Sequence, residues 1–468
     1  MQFDNLKRLQ LVSFFSLPIF ASLFLYPLTQ QVAALVPLAI LLSLAIFLFP
    51  KYFVLLLPFL GALTGWYLQV SGVNVRLEQA LGVALALVGL IHLSLGKIQW
   101  RKSRINYFLY SFIAINLLSS VLSQEPKSSL FQLANISSSI LIYFVVLNFI
   151  QTKEEYQLFL KAMLIAGFCA MLYGLLLFVF GMLGFDVPGV NIEVSEIAYG
   201  IYGSMREPNI FGSYSGSLLM IGLTLLFSVD APSVFSKRFT KIFSMVAVFA
   251  LLLSFARAAW VGAICGILVL LRYRKLWAQR YPFRLWGILG LVLPLVVFLF
   301  ASGVVPSEFY LYKIQNLFNF DEGTGKYRAL IWVKAWLNFI DHPFLGNGTF
   351  SYAYLNIEDA IPGGPEGNAW ISNLGLLVLH DTGIVGIVVF ICLLWSIFRE
   401  SIQTIKSTLN VGLKYQALAF QVALVLLLVA YQATSAFSYG FTWILIAMIP
   451  LSKVHLESEE TIWKKPLL

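Results

Sequence analysis

Apolar runs of about 18 to 24 residues recur along nearly the whole chain, separated by polar breaks. That is the length an α-helix needs to cross a hydrocarbon core of roughly 30 Å. In lipid every backbone N–H and C=O must be satisfied within the segment, which favours helices. The pattern predicts an all-α integral membrane protein. Spans are expected near 10–28, 31–49, 52–72, 79–96, 106–122, 130–150, 157–180, 209–229, 239–256, 258–271, 285–303, 372–398, 416–434 and 439–453. A count of about 12–14 follows from this periodicity. A membrane barrel would show shorter segments alternating between apolar and polar residues.

One apolar run is too long for a single crossing. Between Ile242 and Leu271 only Arg257 carries a charge, and a continuous helix over that run would measure about 45 Å at 1.5 Å per residue. Two spans joined by a tight turn at "SFARAAW" are therefore expected. The longest polar breaks divide the chain into N-terminal spans (residues 1–180), spans with a first loop and the Arg257 turn (181–303), a large partly helical loop (304–371) and C-terminal spans (372–468).

Composition supports the membrane assignment: 59% of the 468 residues are hydrophobic and 11% are charged, against about 25% charged in soluble domains. The net charge of +9 does not indicate nucleic acid, because the basic residues sit in short loops. With fourteen spans the clusters at Lys7/Arg8, Lys51, Lys97–Arg104, Lys237–Lys241, Arg272–Arg284, Arg399–Lys414 and Lys453–Lys465 all fall on one face. The positive-inside rule makes that face cytoplasmic. The first loop (Gly181 to Pro208), the Arg257 turn and the loop from Val304 to Ile371 are then external. The N-terminus reads as a retained span rather than a cleaved signal. Cys169, Cys265 and Cys392 each lie within an apolar run and read as core residues.

Candidate chemistry clusters on the external face. Arg257 could bind an anion or could snorkel at the interface, with Trp260 as part of an aromatic belt. In the large loop "GTGK" lacks the glycine spacing and the hydroxyl residue of a phosphate loop. Lys326 to Ile340 is expected to be helical, with Tyr327, Leu330, Ile331, Lys334, Ala335 and Asn338 at helical spacing and Arg328, Ile331, Trp332 and Ala335 on an adjacent stripe. Arg206 and Glu207 precede Pro208-Asn209 at the start of a span, and Ser372-Asn373 is positioned to cap another. His380 and Asp381 lie inside that second span and need partners. The three cysteines do not read as metal partners.

These segments in order, "REPNIFGSY", "LLSFARAAWVG", "KYRALIWVKAWLNFIDHPFLGNG" and "SNLGLLVLHDTGIVG", resemble the bacterial O-antigen ligase and O-antigen polymerase family. The resemblance is clearest from Arg206 to Gly386. It implies a fold similar to the membrane glycosyltransferases called GT-C, and transfer or polymerisation of glycans carried on undecaprenyl pyrophosphate, without a metal or other cofactor. It also implies a multi-pass protein of the bacterial plasma membrane whose site faces the periplasm. The partners implied are the lipid-linked glycan, a glycan acceptor, membrane lipid and a chain-length regulator. By the same resemblance Arg257 and Arg328 hold the pyrophosphate, while Arg206, Asn209, Ser372 and Asn373 contact substrate. Many members begin the span after the loop with His-Asn, the histidine serving as base, whereas this chain has Ser372-Asn373. Glu207 and Glu366 are the substitute candidates, ahead of Asp381. A polysaccharide polymerase is expected. The alternatives are a ligase to a lipid A core or protein, and a transporter of a lipid-linked or anionic solute.

Overall fold

Prolines and small residues decide where the apolar runs break. The computed structural model describes residues 36–70, 73–185, 187–193, 198–205, 207–227, 235–273, 323–356, 370–407, 411–434 and 436–463. In order these form α1 (Val36–Leu48), α2 (Pro50–Val54), α3 (Leu57–Gly61), β1 (Tyr67–Val70), β2 (Val73–Arg76), α4 (Leu77–Ser94), α5 (Arg104–Val121), α6 (Pro126–Phe149) and α7 (Lys153–Met182). Then follow β3 (Val190–Glu193), β4 (Ala198–Ile201), α8 (Pro208–Phe227), α9 (Lys237–Leu253), α10 (Arg257–Arg272), α11 (Gly323–Asp341), α12 (Tyr352–Leu355), α13 (Leu374–Ser407), α14 (Val411–Ala430) and α15 (Gly440–Trp463). The expected spans 10–28 and 285–303 lie outside the described residues, as do Arg206 and Glu366.

The architecture is all-α, an integral membrane protein with two short antiparallel hairpins, β1–β2 and β3–β4, set into its loops. Among the described residues six helices are long and apolar enough to cross a membrane: α4, α6, α7, α8, α13 and α14. The expected span near 52–72 is not one helix. Pro50 and Pro58 stand in the first turns of α2 and α3, where a missing N–H costs nothing but a longer helix cannot continue back through the ring. The helical path bends by 101° between Ile40–Leu48 and Pro50–Gly61. Residues 67–76 then form the first hairpin, Tyr67 opposite Arg76, because "YLQV" and "VNVR" are rich in β-branched and aromatic side chains.

The centre of the bundle is α8, packed by α9, α10 and α14. Small residues allow the close approach that helix association in lipid needs. Tyr214, Leu218 and Leu219 of α8 and Phe420, Leu424 and Leu427 of α14 are buried in one apolar core. Lys51 pairs with Glu155, joining two segments that the charge pattern puts on one face. At the opposite end Gly65 N–H donates to Ser204 O at 3.0 Å and Ser204 Oγ donates to Ala62 O at 2.6 Å. The first long loop is thereby anchored to the end of α3.

Candidate active site

Arg257 opens α10 after a turn of three residues. Phe255 takes a φ of 52° there, a left-handed conformation that costs a bulky residue roughly 1–2 kcal/mol and so must be held by its surroundings. Trp260 supplies part of the hold by donating from Nε1 to Leu251 O at 3.0 Å across the turn. The expected break at "SFARAAW" is thus present, and its tryptophan pins the turn. The turn also presses on the start of α8. A Cβ added at Gly212 would lie 2.4 Å from Ala256 Cβ, so only glycine permits this approach.

That same start of α8 carries Glu207. Pro208 is the first helical residue, and Phe211 N–H donates to Glu207 O at 3.2 Å. Glu207 therefore stands at the position that caps α8. Asn209 lies half-buried in the first turn, its carbonyl accepting from Ser213 Oγ at 2.7 Å. Glu207 Oε1 accepts a hydrogen bond from Thr434 Oγ1 at 2.9 Å.

Thr434 belongs to the segment leaving α14, and this segment is tied to the start of α13. Leu374 N–H donates to Tyr431 O at 2.9 Å, and Asn373 Nδ2 reaches Gln432 O at 3.5 Å. Asn373 caps α13 by accepting from Leu376 N–H at 2.9 Å. Ser372 beside it is 6% exposed, and its Oγ has no hydrogen-bond partner among the described residues.

From Ser372 the path returns to Arg328. Ile371 packs in a small apolar cluster with Ile331, Ala335, Tyr352 and Leu377. The expected helix over 326–340 is α11, extended at both ends to Gly323–Asp341. Its buried stripe is Ile331, Ala335 and Phe339, while Tyr327, Leu330 and Val333 are exposed. Arg328 lies half-buried at the head of that stripe. Burial pushes its guanidinium below the ordinary arginine range, repulsion from Arg257 adds to this, and Glu207 opposes it. Arg328 therefore feels the charges of Arg257 and Glu207, which come from two other segments of the chain. Forked, permanently charged donors such as Arg257 and Arg328 are suited to a multivalent anion.

His380 and Asp381 do not join this group. Both are buried in α13 and bond to each other, Nδ1 donating to Oδ1 at 2.8 Å. Sequence reasoning also missed two residues that shape the site. Thr434 gave no signal within "QATSAFS". Arg76 donates to Glu78 Oε1 at 2.9 Å and to Ser438 O at 2.6 Å, bracing the segment that carries Thr434. Its signal was the charged pair "RLE" at the head of an apolar run.

No curated protein matches the chain. Residues 242–391 match the family model described as O-antigen ligase. That stretch holds Arg257, Arg328, Ser372 and Asn373, whereas Glu207 and Thr434 come from outside it. That family is one of membrane enzymes of the glycosyl-transfer type, and the matched stretch of this chain is similar to it.

Proposed function

We propose that the protein transfers glycan repeat units from an undecaprenyl-pyrophosphate carrier onto a growing glycan, as a polysaccharide polymerase working at the periplasmic face of the plasma membrane. The observation that carries this reading is that Arg328 feels both Arg257 and Glu207, whose two segments pack closely where Gly212 meets Ala256. The acceptor hydroxyl attacks the anomeric carbon, the bond from that carbon to the pyrophosphate oxygen breaks, and negative charge grows on the leaving group. Arg257 and Arg328 receive that charge through permanently ionised, forked donors. Glu207 takes the hydroxyl proton, the task of the missing histidine, while Thr434 holds its Oε1. Asn209, Ser372 and Asn373 contact substrate around this centre, and a chain-length regulator would act on the product.

The test uses purified protein in lipid nanodiscs with a lipid-linked repeat unit. Arg257→Ala and Arg328→Ala are each expected to lower kcat by about 100-fold or more. Glu207→Gln should lower kcat and remove the acidic limb of the rate profile. Normal turnover by both arginine variants would sink the pyrophosphate assignment. A ladder of lengthening glycans marks a polymerase, whereas a single transfer onto a lipid or protein acceptor marks a ligase.

A further inference from the structure

The large loop is spliced into α13. At Gly383 the backbone turns to φ 65° and ψ −163°, and the helix is interrupted. In an unbroken helix Ile384 N–H would bond His380 O, and Val385 N–H would bond Asp381 O. Here Ile384 N–H donates to Pro343 O at 2.8 Å and Val385 N–H to Phe344 O at 3.2 Å. The two released carbonyls are taken by the same loop: Asn347 N–H donates to His380 O at 2.9 Å and Gly348 N–H to Asp381 O at 3.0 Å. Residues 343–348 thus take over both partners of two helical bonds. The side chains finish the joint. Asp381 Oδ2 accepts from Phe350 N–H at 2.7 Å, and Asn347 Nδ2 donates to Asn338 O at 3.0 Å. Ser119 Oγ of α5 donates to Asp381 O at 2.5 Å.

This joint fixes one end of the rod that carries Arg328. Asn338 lies ten residues after Arg328 on α11, about 15 Å along the axis. The body of the rod rests on the start of α13 through Ile331 and Ala335 against Leu377. A small rotation at the joint would swing the guanidinium at the far end. We propose that Asp381, oriented by His380, is a positioning residue that sets where Arg328 stands. It does so by locking the loop after α11 into the break at Gly383. The proposal rests on the reading of Arg328 as a pyrophosphate ligand, and it adds how that ligand is aimed.

Spin labels test it directly, in full-length protein whose three cysteines are replaced by serine. Labels at Tyr327→Cys on α11 and Leu183→Cys at the end of α7 should give a narrow distance distribution. Asp381→Ala should broaden it, and the milder Asp381→Asn should broaden it less. In turnover, Asp381→Ala should lower kcat by about 100-fold, the cost of misplacing a reacting group by an ångström, with KM for the lipid-linked donor within about twofold. Arg328→Lys combined with Asp381→Ala should be no slower than Arg328→Lys alone, because both act on one interaction. An unbroadened distribution in both Asp381 variants, or fully additive losses, overturns the positioning role. Full turnover by Arg328→Lys overturns the pyrophosphate reading instead.

Discussion

Thr434 Oγ1 donates to Glu207 Oε1 at 2.9 Å across 227 residues of sequence. This bond is one link in a path of contacts and chain neighbours. The path runs from Arg328 through Ile331 and Ile371 to Asn373, on to Gln432 and Thr434, and through Glu207 and Gly212 to the turn of Arg257. Thr434→Val keeps the shape and removes the donor, leaving one carboxylate oxygen without its anchor. A fall in kcat of about tenfold is expected, as for loss of one hydrogen bond to a charged group. Steady-state turnover measures it, and an unchanged kcat would place Glu207 outside the reaction.

Arg328 is held in a setting that disfavours its charge, first by burial and then by Arg257. A group whose folded-state affinity for protons is lowered in this way costs stability while it is charged. The cost is full below its folded value and disappears only as pH rises from there to the ordinary arginine value, far above neutrality. Arg328→Met should therefore raise the melting temperature of the unliganded protein, by about 1–3 °C. The gain should be the same from about pH 6 to 9, since the guanidinium stays ionised throughout. Turnover should be lost. Inorganic pyrophosphate should stabilise the wild type and leave the variant unchanged, by linkage of binding to folding. A lower melting temperature for Arg328→Met would show that its charge already has its partner in the unliganded protein.

Hydropathy marks which residues leave water, and it located most of this fold. The runs near 79–96, 106–122, 130–150, 157–180 and 209–229 are α4 to α8, with shifts of a few residues. Length alone forced the break at Arg257, and the stripe with Arg328 at its head is the buried one. Hydropathy carries no direction, however, so it could not foresee that Pro50 and Pro58 turn the chain through 101°. Nor could it pair the carbonyls of His380 and Asp381 with backbone donors in a loop more than thirty residues earlier. "HDTG" reads as buried polar groups in search of partners, and the loop "DHPFLGNG" supplies them. The two stretches are the halves of one joint.

The Arg76–Glu78 pair gives a prediction for stability. The Glu78 side chain is fully buried and that of Arg76 is 11% exposed, and the guanidinium stacks 4.3 Å from the centre of the Tyr439 ring. Breaking a buried pair leaves an uncompensated charge, at about 3–5 kcal/mol, whereas replacing both members with apolar residues of similar volume is often neutral. Arg76→Met should lower the folded fraction in a thermal assay by that order. Arg76→Met with Glu78→Leu should recover most of it. Activity should stay below wild type in the double variant, because the bond to Ser438 O that braces the Thr434 segment is gone. Full activity in the stable double variant would separate this brace from the site.

The Arg257 turn can be moved without touching any charged group. Gly212 faces it so closely that a Cβ would meet Ala256 Cβ at 2.4 Å and Ser254 Oγ at 2.6 Å. The listener to any such shift is Arg257, one residue beyond Ala256. Gly212→Ala must displace the turn by a few tenths of an ångström or more, since Phe255 at φ 52° and the Trp260 bond to Leu251 O leave it little slack. Overpacking of this kind costs about 1–3 kcal/mol, so the variant should fold in the membrane with a lowered melting temperature. Its kcat should fall by about 10- to 100-fold, since catalysis by a fixed cation depends on where the cation stands. Adding Ala256→Gly removes the opposing methyl and should restore both readouts. Recovery of stability without recovery of kcat would show that the position of the Arg257 turn does not limit the reaction.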